Sequence, residues 1–152
     1  MAELACGSQA PAFRGTATGG REISLADYRG KCAVVLFFFP GAFCPACVRQ
    51  AVDLERSIDT FKSAGAEVIG VSVDSPWVLD LFSATLGGLS FPLVSDLKHE
   101  IGAGYGVFLA EQGLNGRAVF LIDREGRVKW SKSYDLRETP DLDEVVSALK
   151  GT

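Results

Sequence analysis

Cys44-Pro45-Ala46-Cys47 is the segment of this sequence whose residue types and spacing can do chemistry. It follows an apolar run and opens a stretch of helical period. Pro45 therefore falls at a first helical position, where its fixed φ suits the helix and its missing N–H would have had no partner. Cys44 is then the N-cap and Cys47 lies in the first turn. The positive end of the helix dipole and the free N–H groups there favour a thiolate over a thiol, which promotes nucleophilic attack near neutral pH. Residues three apart on a helix are neighbours, and their Cα separation falls in the roughly 4.4–6.8 Å range that a disulfide requires. A nucleophilic thiolate and a reversible Cys44–Cys47 disulfide are both available. A zinc site is the competing use of such a pair. It needs two more ligands, and Cys6, Cys32 and His99 form no second pair of metal-binding spacing, so no metal is expected.

The elements that must position the pair are visible on either side of it. Ala33–Phe39 is a continuous apolar run with the β-branched and aromatic content of a central strand buried on both faces, and Pro40 and Gly41 end it. Beyond the pair, Cys47, Ala51, Leu54, Ile58 and Phe61 recur with a 3.6-residue period, which predicts one helix of about four to five turns with Gly65 as its left-handed cap. Glu67–Val73 reads as a second buried strand, and Ser75 and Pro76 cap and open a helix through Leu86. This order implies a parallel strand pair joined by a crossover. Phe91–Val94 is a short third strand, and Asp96–Tyr105 a helical turn and loop. Ala118–Ile122 then pairs with Val128–Tyr134 across Arg124, Glu125 and Gly126. Thr139 and Pro140 begin a last helix with Leu142, Val145, Val146 and Leu149 on its apolar side. Residues 1–31, with Gly19 and Gly20 before Glu22–Leu25, read as an extended arm or hairpin. No repeat, low-complexity tract or linker interrupts the chain. The expectation is one α/β domain over residues 1–152, with an antiparallel hairpin at one edge.

Composition removes several function classes. The 152 residues are 47% hydrophobic and 22% charged, which suits one globular domain with a substantial core. Lys plus Arg number 15 against 19 Asp plus Glu, and the net charge of −4 leaves no diffuse basic surface for nucleic acid or anionic lipid. A single histidine cannot build a His-rich zinc site or a diiron bundle of Glu-x-x-His motifs. The longest uncharged stretch, Cys32 to Val48, is interrupted by Pro40, Gly41 and Pro45 and is shorter than the roughly 20 apolar residues of a membrane span. Met1–Ala10 has no basic segment followed by an apolar one, and Leu4-Ala5-Cys6 lacks the hydrophobic segment of a lipidation signal. A cytoplasmic, reducing compartment is the expectation, with no membrane and no nucleic acid as partners. The four cysteines then read as reduced, catalytic or buried, with Cys6 and Cys32 as small buried hydrophobes.

The stretch Phe38-Phe39-Pro40-Gly41-Ala42-Phe43-Cys44-Pro45-Ala46-Cys47 resembles the peroxiredoxin active-site pattern Pro-x-x-x-Thr-x-x-Cys, with Pro40 on the proline and Cys47 on the peroxidatic cysteine. The resemblance runs through Ala10–Phe13, Ser24–Lys31, Val71–Pro76 and Phe91–Asp96. Arg117, followed by Ala-Val-Phe-Leu-Ile-Asp, is similar to the family's active-site arginine, and Gln50 matches a Glu or Gln position. The AhpE-like and BCP/PrxQ-like branches are the most similar. One departure is that Cys44 stands where the family has threonine, and a thiol is a weaker hydrogen-bonding group than a hydroxyl. Another is Val52, at the place where BCP/PrxQ-like relatives often carry a resolving cysteine, which leaves Cys44 as the substitute. The resemblance implies a thioredoxin-like fold, with a central mixed sheet flanked by helices, and an antioxidant thiol peroxidase. Cys47 would attack hydrogen peroxide or a small organic hydroperoxide, with Arg117 stabilising the charge and Pro40 shielding the sulfur. Cys44 would close a disulfide that thioredoxin or another dithiol reductant reopens. It implies no cofactor, and either a monomer or a homodimer.

Local physics keeps a second reading open. In thioredoxin-like Cys-x-x-Cys sites the exposed N-cap cysteine attacks, which favours Cys44 and a protein disulfide oxidoreductase. Pro40, Gln50 and Arg117 fall into place relative to Cys47 instead. A redox-sensing domain without turnover is a third reading, which no exposed helix or tail supports. If Cys47 is buried, its first turn is expected to unwind when the disulfide forms. Without the resemblance, Arg117 reads as a solvated charge at a strand start. Arg49, Arg56 and His99 read as surface groups, and Trp130 as core or edge packing. Trp77 reads the same way, near enough to the site to report its redox state. Gly102, Gly104 and Gly106 make no dinucleotide fingerprint.

Overall fold

The computed structural model describes residues 4–151. Its strands are β1 (Arg14–Thr16), β2 (Glu22–Ser24), β3 (Ala33–Phe38), β4 (Ala66–Ser72), β5 (Leu93–Ser95), β6 (Phe108–Leu109), β7 (Leu114–Asn115), β8 (Arg117–Ile122) and β9 (Val128–Tyr134). Its helices are α1 (Pro45–Arg56), α2 (Ile58–Ser63), α3 (Pro76–Thr85), α4 (Glu100–Gly104) and α5 (Leu142–Lys150). The apolar run of β3 forms the middle of a five-stranded sheet in the order β5-β4-β3-β8-β9. β3, β4 and β5 are parallel, while β8 runs antiparallel to β3 and β9 antiparallel to β8. This is the mixed, thioredoxin-like sheet that the resemblance implies.

A period of two sorts the central strands between two cores. Val35 and Phe37 face a layer that holds Cys47, Ala51 and Leu54 of α1, Phe61 of α2, Leu79 and Phe82 of α3, and Val145 and Leu149 of α5. Val34, Leu36 and Phe38 face a second layer with Phe13, Ile23, Leu25, Ile101, Tyr105 and Val107. Both faces are covered, which is why β3 carries no polar alternation. The fit is tight: a Cβ on Gly70 of β4 would lie 2.5 Å from Phe37 Cζ and 2.7 Å from Leu93 Cδ2.

Several boundaries differ from the periodicity reading. The helix after Cys47 is interrupted at Ser57, whose ψ of 5° ends the α1 ladder before α2 resumes it. Gly65 takes φ +80° and its N–H reaches Lys62 O, as a left-handed cap should. Ser75 caps α3, its Oγ accepting from Val78 N–H, with Pro76 at the first position. The last helix starts later than Thr139-Pro140, because the Asp141 carboxylate accepts from Asp143 and Glu144 N–H and makes Asp141 the N-cap. The short β6–β7 hairpin lies in a stretch that carried no strand signal. No helix among the described residues is long and apolar enough to cross a membrane.

Candidate active site

The carboxyl ends of β3, β4 and β5 and the start of β8 lie along one edge of the sheet, where ligands bind in open α/β folds. β3 leaves that edge at Phe38, and Pro40 to Cys44 turn the chain into α1. Pro40 and Cys44 are half-buried, whereas Cys47 is 2% exposed. Cys44 caps α1 with sulfur in place of the usual oxygen: Cys47 N–H donates to Cys44 Sγ at 3.2 Å. The two cysteines are joined by a disulfide with a Cα–Cα distance of 5.1 Å.

Helical structure still begins at Pro45 in this bonded form. The expected unwinding of the first turn is therefore not seen. An N-cap and the third helical residue already lie within disulfide reach, so no helical hydrogen bond has to break.

Arg117 completes the site from the opposite strand. Phe38 pairs with Ala118, which sets Arg117 one step beyond, at the point where β3 exits. Its parity matches Val119 and Leu121, on the α1 side of the sheet. The side chain is 0% exposed, so the reading of a solvated strand-start charge fails. Nη2 donates to Cys47 Sγ at 3.3 Å, Cys44 Sγ at 3.7 Å and Leu136 O at 2.8 Å. Nη1 donates to Gln50 Oε1, from the next turn of α1 after Cys47. Arg117 Nε and Gln50 Nε2 are buried without a partner. Burial pushes the guanidinium below its ordinary pKa, exposed Arg49 pushes the same way, and Glu138 opposes both. The group stays cationic, since a guanidinium is not deprotonated in proteins.

Four sequence-derived residues thus meet, with Cys44, Cys47 and Gln50 all hydrogen-bonded to Arg117, and Pro40 heads the loop that leads into Cys44. Sequence reasoning missed what holds that loop. Phe43 has φ +68°, is 46% exposed and packs its ring edge-on against Phe82 at 5.1 Å between centroids. Ala42 N–H donates to Asp74 Oδ2 at 2.8 Å. Two other readings are corrected. Trp77 is 82% exposed rather than packed, because Leu79 and Phe82 take the inward face of α3. Cys6 is exposed and donates from Sγ to Lys129 O at 3.0 Å, while Cys32 is partly buried. Among the described residues, no group of three or more His, Cys, Asp or Glu side chains could hold a metal ion.

Comparison with known proteins gives a consistent picture. The AhpC/TSA family profile matches residues 6–131. A peroxiredoxin-4 of Dictyostelium discoideum is 39% identical over 150 residues, which cover 93% of this chain and 58% of that protein. The chain thus spans less than two thirds of that relative's length. A chloroplastic 2-cysteine peroxiredoxin of Chattonella marina var. antiqua is 40% identical over 153 residues, covering 95% of this chain and 78% of the relative. The solved structure of Mycobacterium bovis AhpC is similar with a TM-score of 0.90 at 28% identity, over 99% of this chain and 93% of that one.

Proposed function

This chain belongs to the AhpC/TSA family, the peroxiredoxins, and we propose that it is a thiol-dependent peroxidase for hydrogen peroxide and small organic hydroperoxides. The observation that carries this reading is a buried arginine whose Nη2 reaches both sulfurs, at 3.3 and 3.7 Å. In the reduced protein the Cys47 thiolate attacks the near oxygen of the peroxide. The O–O bond breaks, and the leaving oxygen departs with a proton as water or alcohol, leaving Cys47 as sulfenic acid. Arg117 stabilises the thiolate and then the charge that spreads over the two oxygens, in a site where burial strengthens that interaction. Gln50 orients the guanidinium, and Pro40 shields the sulfur from bulk water. Cys44 thiolate next attacks the Cys47 sulfur. The S–S bond forms, the S–O bond breaks, and hydroxide leaves to become water.

A dithiol protein of the thioredoxin kind, in a reducing cytoplasmic setting, supplies the two electrons that reopen the disulfide. Within the family, Cys44 at the threonine position and Val52 at the usual resolving position support an AhpE-like or BCP/PrxQ-like branch with an atypical Cys-Pro-Ala-Cys site. A monomer or a homodimer accommodates this cycle, since both cysteines come from one chain.

One observation favours a second reading, a protein disulfide oxidoreductase: Cys44 is the more accessible sulfur and sits at the N-cap. The two readings separate on intact-mass and stopped-flow measurements after one equivalent of hydrogen peroxide, using wild type, Cys44→Ser and Cys47→Ser. The peroxidase reading expects loss of two hydrogens in wild type, a sulfenic acid trapped on Cys47 in Cys44→Ser, and an inert Cys47→Ser. Oxidation centred on Cys44, or slow oxidation in all three, would sink it in favour of the oxidoreductase.

A further inference from the structure

The loop between β3 and α1 holds a conformation it would not choose by itself. Phe43, directly before Cys44, has φ +68°, which is uncommon for any residue but glycine and persists only where the surroundings impose it. Its ring is fixed on one side by Phe82 of α3. The residue before Phe43 is held by Asp74, between β4 and α3, whose Oδ2 accepts from Ala42 N–H at 2.8 Å. Among the described residues, this is the only hydrogen bond between the backbone of residues 40–44 and a side chain outside them. Asp74 is itself held by the sheet. Ser72 Oγ, fully buried at the end of β4, donates to the same Oδ2 at 2.8 Å, and Ser95 Oγ, at the end of β5, donates to Asp74 O at 2.7 Å.

We propose that Asp74 is a positioning residue for the resolving step: by holding Ala42 N–H it fixes the left-handed Phe43 and so sets the Cys44 sulfur against Cys47. Cys47 needs no such help. It is packed in the core with Ala51 and Leu54 and held by Arg117 Nη2, and its ties to the loop, its own N–H to Cys44 Sγ and Val48 N–H to Cys44 O, run through Cys44 and not through the Ala42–Phe43 backbone. The loop therefore governs where the second sulfur lies and leaves the first where it is. This rests on the peroxidase reading only for its kinetic form, because the closeness of the two sulfurs governs any thiol–disulfide equilibrium at the pair.

The test compares wild type, Asp74→Ala and Asp74→Asn, the asparagine keeping an oxygen that can accept from Ala42 N–H. Stopped-flow mixing with hydrogen peroxide separates oxidation of Cys47 from disulfide closure, and equilibration in glutathione redox buffers measures disulfide stability without peroxide. In Asp74→Ala, closure should slow about tenfold while the first phase stays within about twofold, and the glutathione equilibrium should shift about tenfold toward the dithiol. Asp74→Asn should restore most of both. Equal slowing of both phases, an unchanged glutathione equilibrium in Asp74→Ala, or an Asp74→Asn variant no better than alanine would overturn the proposal. A wild type with no peroxide phase would defeat the peroxidase reading alone, and the glutathione equilibrium would still decide the role of Asp74.

Discussion

Two charged side chains are buried among the described residues, and they are treated in opposite ways. Asp96, 3% exposed beyond β5, accepts from Ile101 N–H at 2.9 Å, Gly102 N–H at 2.8 Å and Asn115 Nδ2 at 3.2 Å. Two N–H groups at the start of α4 and one side-chain amide from β7 satisfy one carboxylate, and Gly102 lets Asn115 approach, since a Cβ there would fall inside the Asn115 side chain. Arg117 has no carboxylate within ion-pair distance among the described residues, leaves Nε unpaired, and directs Nη2 at two sulfurs. A buried charge that serves the fold saturates its hydrogen bonds. Under the peroxidase reading, Arg117 keeps part of its capacity for atoms that change during the reaction.

Substitutions can break this contrast or sharpen it. The largest effect is expected from Arg117→Ala: the peroxide reaction of Cys47 should fall by roughly 10²–10³-fold while the thermal midpoint moves little. If the protein instead unfolds at unchanged specific reactivity, Arg117 belongs with Asp96. Asp96→Ala should do the reverse, leaving buried donors without an acceptor at a cost of about 3 kcal/mol in denaturant unfolding. The folded fraction should still react with peroxide at the wild-type rate, and a selective loss of rate would erase the distinction. The smallest effect belongs to Gln50→Leu, which removes the acceptor for Arg117 Nη1. The peroxide rate should drop by about tenfold or less, and a drop as large as that of Arg117→Ala would make Gln50 part of the reacting centre.

The sheet and helices were legible where one physical signal dominated. The unbroken apolar run of β3, rich in β-branched and aromatic residues and ended by Pro40 and Gly41, suited a strand covered on both faces, and Ser75-Pro76 carried both a cap and a first-turn proline. The Cα separation of Cys44 and Cys47, 5.1 Å, survives into the structure because an N-cap and the third helical residue are neighbours in any helix start. What stayed hidden depends on contacts between distant segments. The bond from Asp74 to Ala42 joins segments 32 residues apart and uses a backbone N–H that has no sequence signature. The left-handed Phe43 is imposed by its neighbours, against the preference of its own residue type. Trp77 was misread because hydrophobicity reports a preference for burial, while its turn of α3 faces outward. The burial of Arg117 was invisible for a related reason: strand parity pointed it inward only once the pairing of β3 with β8 was known.

The disulfide inside an intact first turn of α1 bears on how other molecules could sense this protein. A partner discriminates between two states only through a difference in its interaction free energy with each, and that difference usually comes from an alternative backbone arrangement. In this bonded form α1 is helical from Pro45 onward, so the disulfide itself presents no unwound turn to recognise. The disulfide carries no charge, and the buried Arg117 guanidinium beside it has no carboxylate within ion-pair distance among the described residues. A partner of the oxidised form therefore meets an intact helix start beside a buried cation, and ionic strength will weaken whatever part of that recognition is made through solvent.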